Sequence, residues 1–353
     1  MERVNAVVYC EGAFDSTYGK TAHGLVRFTE RYNVLSVIDS TLAGQDAAEV
    51  LDGKARGIPL VRDLPEALSL SREQGLQLSH FVVGIATDGG FLDEAVEKAA
   101  LDALAAGLNV DSGLHEFISD LPAAGQYLET GDIKIRDIRK PPSRRMHAFT
   151  GKIESVGSVR IATMGTDSAI GKRTTAWILV HALRKAGQSA EMIGTGQTAW
   201  MQGAEYGIIL DSLLNDYISG ELEHAVCSAW EDKKMDFAVI EGQGSLMNPG
   251  YPGGFEILAA GRPHGIIMQH APSRKEYDGF PGYPLDSLND QIHIAEFLSH
   301  KPVVAVTINH EGIPRDQIDA VCKEVEQSCA RPVLDPLYHG ADALVPLLMK
   351  LKK

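Results

Sequence analysis

Short β-branched runs alternate along the chain with longer segments whose apolar residues recur at helical spacing. Val4 to Tyr9 reads as a strand, His23 to Arg31 as a helix, and Val34 to Ile38 as a strand ending at Asp39. A helix over Pro65 to Gln74, a buried strand over His80 to Ala86, a helix over Asp93 to Ala106 and a strand at Leu108 to Val110 continue the rhythm. Alternation of this kind predicts βαβ units and a parallel sheet. A second series follows: strands at Ser158 to Met164, Ala190 to Gly194, Phe237 to Ile240, Gly265 to Met268 and Val303 to Ile308, with helices over Lys172 to Ala186, Tyr206 to Ile218 and Asp316 to Ala330. No solenoid-length repeat or low-complexity tract interrupts it.

The length of 353 residues predicts two domains, and 44% hydrophobic residues supply a core for each. Between the two series lies a basic stretch around Pro141-Pro142, where Lys134, Arg136, Arg139, Lys140, Arg144, Arg145 and Lys152 face a single acid, Asp137. The expected organisation is therefore α/β throughout: a Rossmann-like parallel sheet in residues 1–133, a basic connector in 134–152 and a P-loop NTPase-like parallel sheet in 153–353. The connector is read either as a solvated, salt-bridged linker or as help in holding an anionic ligand.

A formal net charge of -14 argues against nucleic acid or an anionic membrane as the partner and for a small-molecule substrate. Four cysteines without CxxC spacing suggest neither a disulfide framework nor a cysteine-rich zinc site, so a reducing cytoplasm is expected. No signal-peptide core and no spanning apolar run is seen. A homo-oligomer is expected, with no feature that fixes its symmetry.

Candidate chemistry concentrates in ATMGTDSAIGKRTTAW, where an apolar strand ends at Met164, a loop carries Gly165, Thr166, Asp167, Ser168 and Gly171, and a helix opens at Lys172. Amides at a helix N-terminus behind an unobstructed glycine loop make a cradle for phosphate oxygens, and Lys172 adds a mobile charge. Arg173 stands where Ser or Thr ordinarily follows the lysine, so Thr174 or Thr175 is left as the hydroxyl for Mg²⁺. The spacing resembles the GTDxxxGKT loop of dethiobiotin synthetase and its relatives, in which the acid matched by Asp167 lies near the metal and reactive groups. Glu241, delivered by an apolar strand into Gly-Gln-Gly-Ser, resembles the VEGAGG stretch of the same group and is the second metal or water-handling acid. Those synthetases carry a lysine after the next strand, where this chain has Gly194-Thr195-Gly196-Gln197-Thr198, so their carboxylation chemistry does not transfer.

Further candidates are Gln197, Thr198 and Asp211 for substrate, Arg274 for a carboxylate, and His270 as a base at a strand end, with His115 a parallel candidate after a strand of the first series. In the first half, Asp39 occupies the ribose position of a Rossmann fold without the GxGxxG that goes with it, and Gly19-Lys20-Thr21 forms a lone phosphate-loop fragment. There is no HExxH and no GxSxG.

Taken in order, IRDIRKPP, HAFTGKI, GTDSAIGKRTT, GTGQT and VIEGQGS resemble the D-glutamate N-acetyltransferase family, long catalogued as a domain of unknown function. That resemblance implies a Rossmann-like domain followed by a P-loop domain, acetyl-CoA as co-substrate, and acetyl transfer to the amine of D-glutamate or a related amino acid. Coenzyme A carries a pyrophosphate and a 3′-phosphate, so the loop would anchor it without hydrolysis. GIPLVRDLPEAL is also similar to a segment of the CoA-binding domains of succinyl-CoA synthetases. Glu241, Asp167 and His270 are the candidate bases, and Lys172 or the loop amides the candidate oxyanion donors. The alternatives are a kinase or ligase using Mg²⁺ and ATP on a small carboxylate, with Thr174 and Glu241 at the metal, and a nucleotide-responsive regulator.

Overall fold

The computed structural model describes residues 3–129 and 131–352. These form two compact units, one of residues 1–141 with 197–203, the other of residues 142–196 with 204–353. Each is built on one all-parallel sheet, so the α/β class with two parallel sheets holds.

In the first unit the strands are β1 (Val4–Tyr9), β2 (Tyr32–Ile38), β3 (Leu60–Val61), β4 (His80–Val83), β5 (Asn109–Ser112) and β6 (Ile135–Asp137), ordered β3-β2-β1-β4-β5-β6. This is the doubly wound order, with its reversal between β1 and β4. The strand read as running to Ala86 stops at Val83. Gly84 follows, and a Cβ there would lie 2.5 Å from a methyl of Val8. Asp39 does end β2, but its buried carboxylate is occupied by the chain itself: it accepts from the Phe14 amide at 3.0 Å and from the amide and hydroxyl of Thr41 at 3.0 and 2.6 Å. The Thr21 hydroxyl of the lone Gly-Lys-Thr fragment is likewise buried, 3.0 Å from that of Thr198.

The second unit contains β7 (Val159–Gly165), β8 (Ala190–Gly194), β9 (Tyr206–Gly207), β10 (Phe237–Glu241), β11 (Gly265–His270), β12 (Val303–Ile308) and β13 (Val333–Leu334), ordered β13-β12-β11-β7-β10-β8-β9. The long central strands read as near-continuous apolar runs because both faces are covered. Tyr206 to Ile218 is not one helix. Tyr206–Gly207 pairs with β8, a single turn covers Leu210–Ser212, and the helix begins at Asn215 and runs to Lys233. Gly207 explains the break: its φ is +155°, and a Cβ would lie 2.1 Å from the Gly194 carbonyl oxygen.

The basic stretch is divided between the units. Ile135–Asp137 is β6, with Arg136 reaching Asp111 and Lys140 reaching Asp120. Residues 142–153 are fastened to the Asn215–Lys233 helix. Arg144 makes a two-pronged pair with buried Glu221, which also accepts from the His147 amide, and Glu223 accepts from Thr150 and Ile153. Arg144, Lys152, Arg136 and Lys140 therefore all have acidic partners. All four cysteines are free and buried. Among the described residues no helix is long and apolar enough to cross a membrane.

Burial pushes the Glu221 carboxyl up, but the hydrogen bonds from Arg144 and His147 outweigh it and hold the pKa at about 2. A depressed carboxylate stabilises the fold fully above its unfolded pKa, and the contribution is lost as pH falls toward the folded value. Glu221→Gln should therefore cost about 1–3 kcal/mol at pH 7, with the difference from wild type shrinking between pH 4.5 and 2. Denaturant melts across that range read it directly.

Candidate functional site

β7 is buried along its whole length and delivers residues 166–171 to the C-terminal edge of the sheet, where the Lys172–Lys185 helix begins. Gly171, at φ +99°, caps that helix without a side chain, so no cap competes for its first amides. Two glycines make room for the lysine stem. A Cβ at Gly165 would lie 2.8 Å from Lys172 Cδ, and one at Gly242 would lie 2.0 Å from the Thr163 carbonyl oxygen and 3.0 Å from Lys172 Cδ. Buried Lys172 donates from Nζ to the Asp167 carbonyl oxygen at 2.5 Å. Burial lowers its pKa to about 8, against the opposing pull of Asp167 and Glu241. A phosphate oxygen would replace a partner the loop now supplies for itself.

Asp167 has no exposed surface, and its carboxylate is shared among three segments. Oδ1 accepts from the Ser168 amide at 2.7 Å and Asn248 Nδ2 at 2.8 Å; Oδ2 accepts from Arg274 and from the Asp278 amide, each at 2.9 Å. Arg274 also donates to the Ser168 carbonyl and grips Glu311 with its other nitrogens. Although burial opposes its charge, Glu311 and Asp167 raise its pKa above the ordinary value. Ser168 closes the ring by donating to Asp278 Oδ2. The loops after β10, β11 and β12 are thereby tied to the phosphate loop.

The remaining predicted residues divide. Thr166 Oγ1 lies 3.0 Å from His270 Nδ1, and burial lowers the His270 pKa to about 4, so this imidazole is neutral at pH 7. The Thr175 hydroxyl is spent on Gln269 at 2.6 Å, while Thr174 is half-buried. Glu241 ends β10 and is buried, and its Oε2 accepts from the amides of Thr195 at 2.7 Å and Gly196 at 3.2 Å and from the Thr195 hydroxyl at 3.3 Å. Burial raises its pKa, with the Arg173 charge the largest opposing influence. Lys172, Arg173, Thr166, Asp167, Ser168, Arg274, His270 and Glu241 thus share one strand-end region. Gln197 and Thr198 instead open a short helix, Gln197–Gln202, that belongs to the first unit. Asp211 is exposed in the turn that follows β9, and His115, also exposed, lies against Gly90 in the first unit.

Sequence reasoning missed Asn248, Gln269, Asp278 and Glu311. Asn248, Asp278 and Glu311 are polar residues on separate loops and Gln269 lies on β11, and no spacing links them to the phosphate loop. Among the described residues no group of three or more His, Cys, Asp or Glu side chains could hold a metal ion.

A model described as the P-loop domain of a domain of unknown function, DUF1611, matches residues 147–345, and the Rossmann-like N-terminal model of the same family matches residues 40–141. The chain belongs to the DUF1611 family. A crystal structure of a DUF1611 protein from Anabaena variabilis has a TM-score of 0.90, with 27% identity over 99% of this chain and 100% of that one. Two relatives of the family member described here are named D-glutamate N-acetyltransferase. The one from Tritonibacter scottomollicae is 28% identical over 80% of this chain and 84% of its own, and the one from a Pseudoalteromonas species is 29% identical over 75% and 80%.

Asp167→Ala would leave Arg274, Asn248 and the Asp278 amide without their shared acceptor. We expect a loss of about 3–5 kcal/mol in denaturant melts. Because Lys172 is a cation only below its pKa of about 8, pyrophosphate affinity measured by calorimetry should fall as pH rises through that value. In Lys172→Met the affinity should be low at every pH.

Proposed function

We propose that this DUF1611 protein is an N-acetyltransferase that moves the acetyl group of acetyl-CoA to the amine of D-glutamate or a related amino acid, with the Lys172 loop anchoring the phosphates of coenzyme A. The names of the two relatives support the reaction class. The observation that carries the role of the loop is Arg173. It follows the lysine directly, and its charge acts on Glu241, the acid that would otherwise face a divalent ion. With Thr175 spent on Gln269 as well, the residues fit a metal-free anion cradle with two cations better than an Mg²⁺ and ATP site.

In the transfer, the neutral amine attacks the thioester carbonyl. A C–N bond forms, the C–S bond breaks, and the proton of the amine passes to a base and from it to the departing sulfur, which leaves as the thiol of coenzyme A. We assign the base to Glu241, whose carboxyl burial raises in the direction that task requires and whose Oε1 is not drawn on by Thr195 or Gly196. Lys172 and the loop amides hold the phosphates, which fixes the thioester relative to the strand ends.

Thiol release from acetyl-CoA should appear with D-glutamate and not without an acceptor, with L-glutamate as the stereochemical control. The four buried cysteines keep the background of the folded protein low. Glu241→Gln should lower kcat by about 10²–10⁴-fold and remove the acidic limb of the pH profile. ATP turnover requiring Mg²⁺, with no thiol release, would replace this reading with the kinase or ligase one.

A further inference from the structure

The tetrapeptide Pro-Gly-Tyr-Pro occurs twice, at residues 249–252 and 281–284. One copy lies in the loop after β10 and the other in the loop after β11, and these are the two neighbours of β7 in the sheet. The strands that lead into them therefore flank the strand whose end becomes the phosphate loop. Each sits in a tight, hydrogen-bonded turn. The Ser245 amide donates to the Tyr251 carbonyl at 3.2 Å, and the Tyr277 amide donates to that of Tyr283 at 3.0 Å. Isolated bridges pair Ser245 with Pro252 and Glu276 with Pro284.

Both loops are fastened to the same carboxylate. Asn248 accepts the Tyr251 amide at 2.9 Å and donates to Asp167, and the Asp278 amide donates to Asp167 directly. The loops also touch, because a Cβ at Gly250 would lie 2.6 Å from the Phe280 ring. Yet on this rigid mounting the Tyr251 and Tyr283 side chains are 63% and 56% exposed. One exposed aromatic residue is ordinary, but here the same tetrapeptide presents a tyrosine from each of two touching loops that share the phosphate-loop carboxylate. The turns themselves differ: Gly282 is at φ +86° and Tyr283 closes a backbone turn on Phe280 and packs edge-on against its ring, whereas the Tyr251 amide is held by the Asn248 side chain. A ring held by a Pro-Gly turn loses little freedom on binding, and a phenol face stacks on a flat heteroaromatic ring. Around its tetrapeptide the second loop carries Glu276, Asp278 and Asp286, while its cations Arg274 and Lys275 precede them and Arg274 is held by Asp167 and Glu311, which leaves the tyrosines for the uncharged part of the ligand.

We propose that Tyr251 and Tyr283 form a stacking clamp for the planar base of the nucleotide whose phosphates the Lys172 loop holds. The clamp rests on the reading of that loop as a phosphate anchor. The test is calorimetric titration of CoA, which carries a base, and pyrophosphate, which does not, into wild type, Tyr251→Ala/Tyr283→Ala and the corresponding double Phe variant. The expected result is a loss of about tenfold to a hundredfold for CoA in the Ala variant, pyrophosphate affinity within twofold of wild type, and recovery of CoA binding in the Phe variant. Unchanged CoA affinity, or an equal loss for both ligands, overturns the clamp and leaves the phosphate loop standing. A drop in particle mass on gel filtration of the Ala variant overturns it in favour of an interface between copies. A wild-type protein that binds neither ligand overturns the clamp and the phosphate anchor together.

Discussion

A carboxylate removed from water must be surrounded by donors, and the donors of Asp167 arrive from its own loop, from the loop after β10 and from the loop after β11. The shape of the phosphate loop is consequently a property of the whole C-terminal edge of the second sheet. Arg274 extends the constraint to Glu311 beyond β12, so four consecutive strand ends in the order β12-β11-β7-β10 are locked to one another. Asp167 is better understood as the fastening of the site than as a group that moves protons, since both of its oxygens are already occupied. The groups that the fastening holds still are Lys172, with Glu241 at the end of β10 on one side of β7 and His270 at the end of β11 on the other.

The electrostatics follow the same economy. The chain as a whole repels anions, with a net charge of -14, and can attract one only where cations are collected locally. Of the cations of residues 134–152, Arg136, Lys140, Arg144 and Lys152 are matched to acids that hold their segments in place. Lys172 and Arg173 stand together at a helix N-terminus, where the backbone adds its own positive end.

The alternation of apolar strands and amphipathic helices made both sheets legible in the sequence, and the spacing of Gly165, Asp167, Gly171 and Lys172 made the phosphate loop legible. What escaped had physical causes. Two-residue strands such as Leu60–Val61 and Val333–Leu334 are too short to show a period. The Asn215–Lys233 helix runs well past the helical reading of Tyr206 to Ile218, and its Glu221 and Glu223, charges of a kind that ordinarily face solvent, are buried against residues 144–153. Gln197 and Thr198, read at another strand end, open a short helix that clusters with the first unit, and a crossover of that kind leaves no local mark. The repeated Pro-Gly-Tyr-Pro is visible as letters and acquires meaning only once the strand order shows that its copies follow the two neighbours of β7.

That crossover bears on how the protein is made. Met201 is wholly buried in the core of the first unit, Gln202 donates to the carbonyls of Gly24 and Phe28, and the Thr29 hydroxyl donates to the Met201 carbonyl. During synthesis the first sheet is finished at residue 137, but its covering is not complete until residue 203 has left the ribosome. By then β7, its helix and β8 have already emerged. The N-terminal unit is therefore completed by residues synthesised only after about the first quarter of its neighbour.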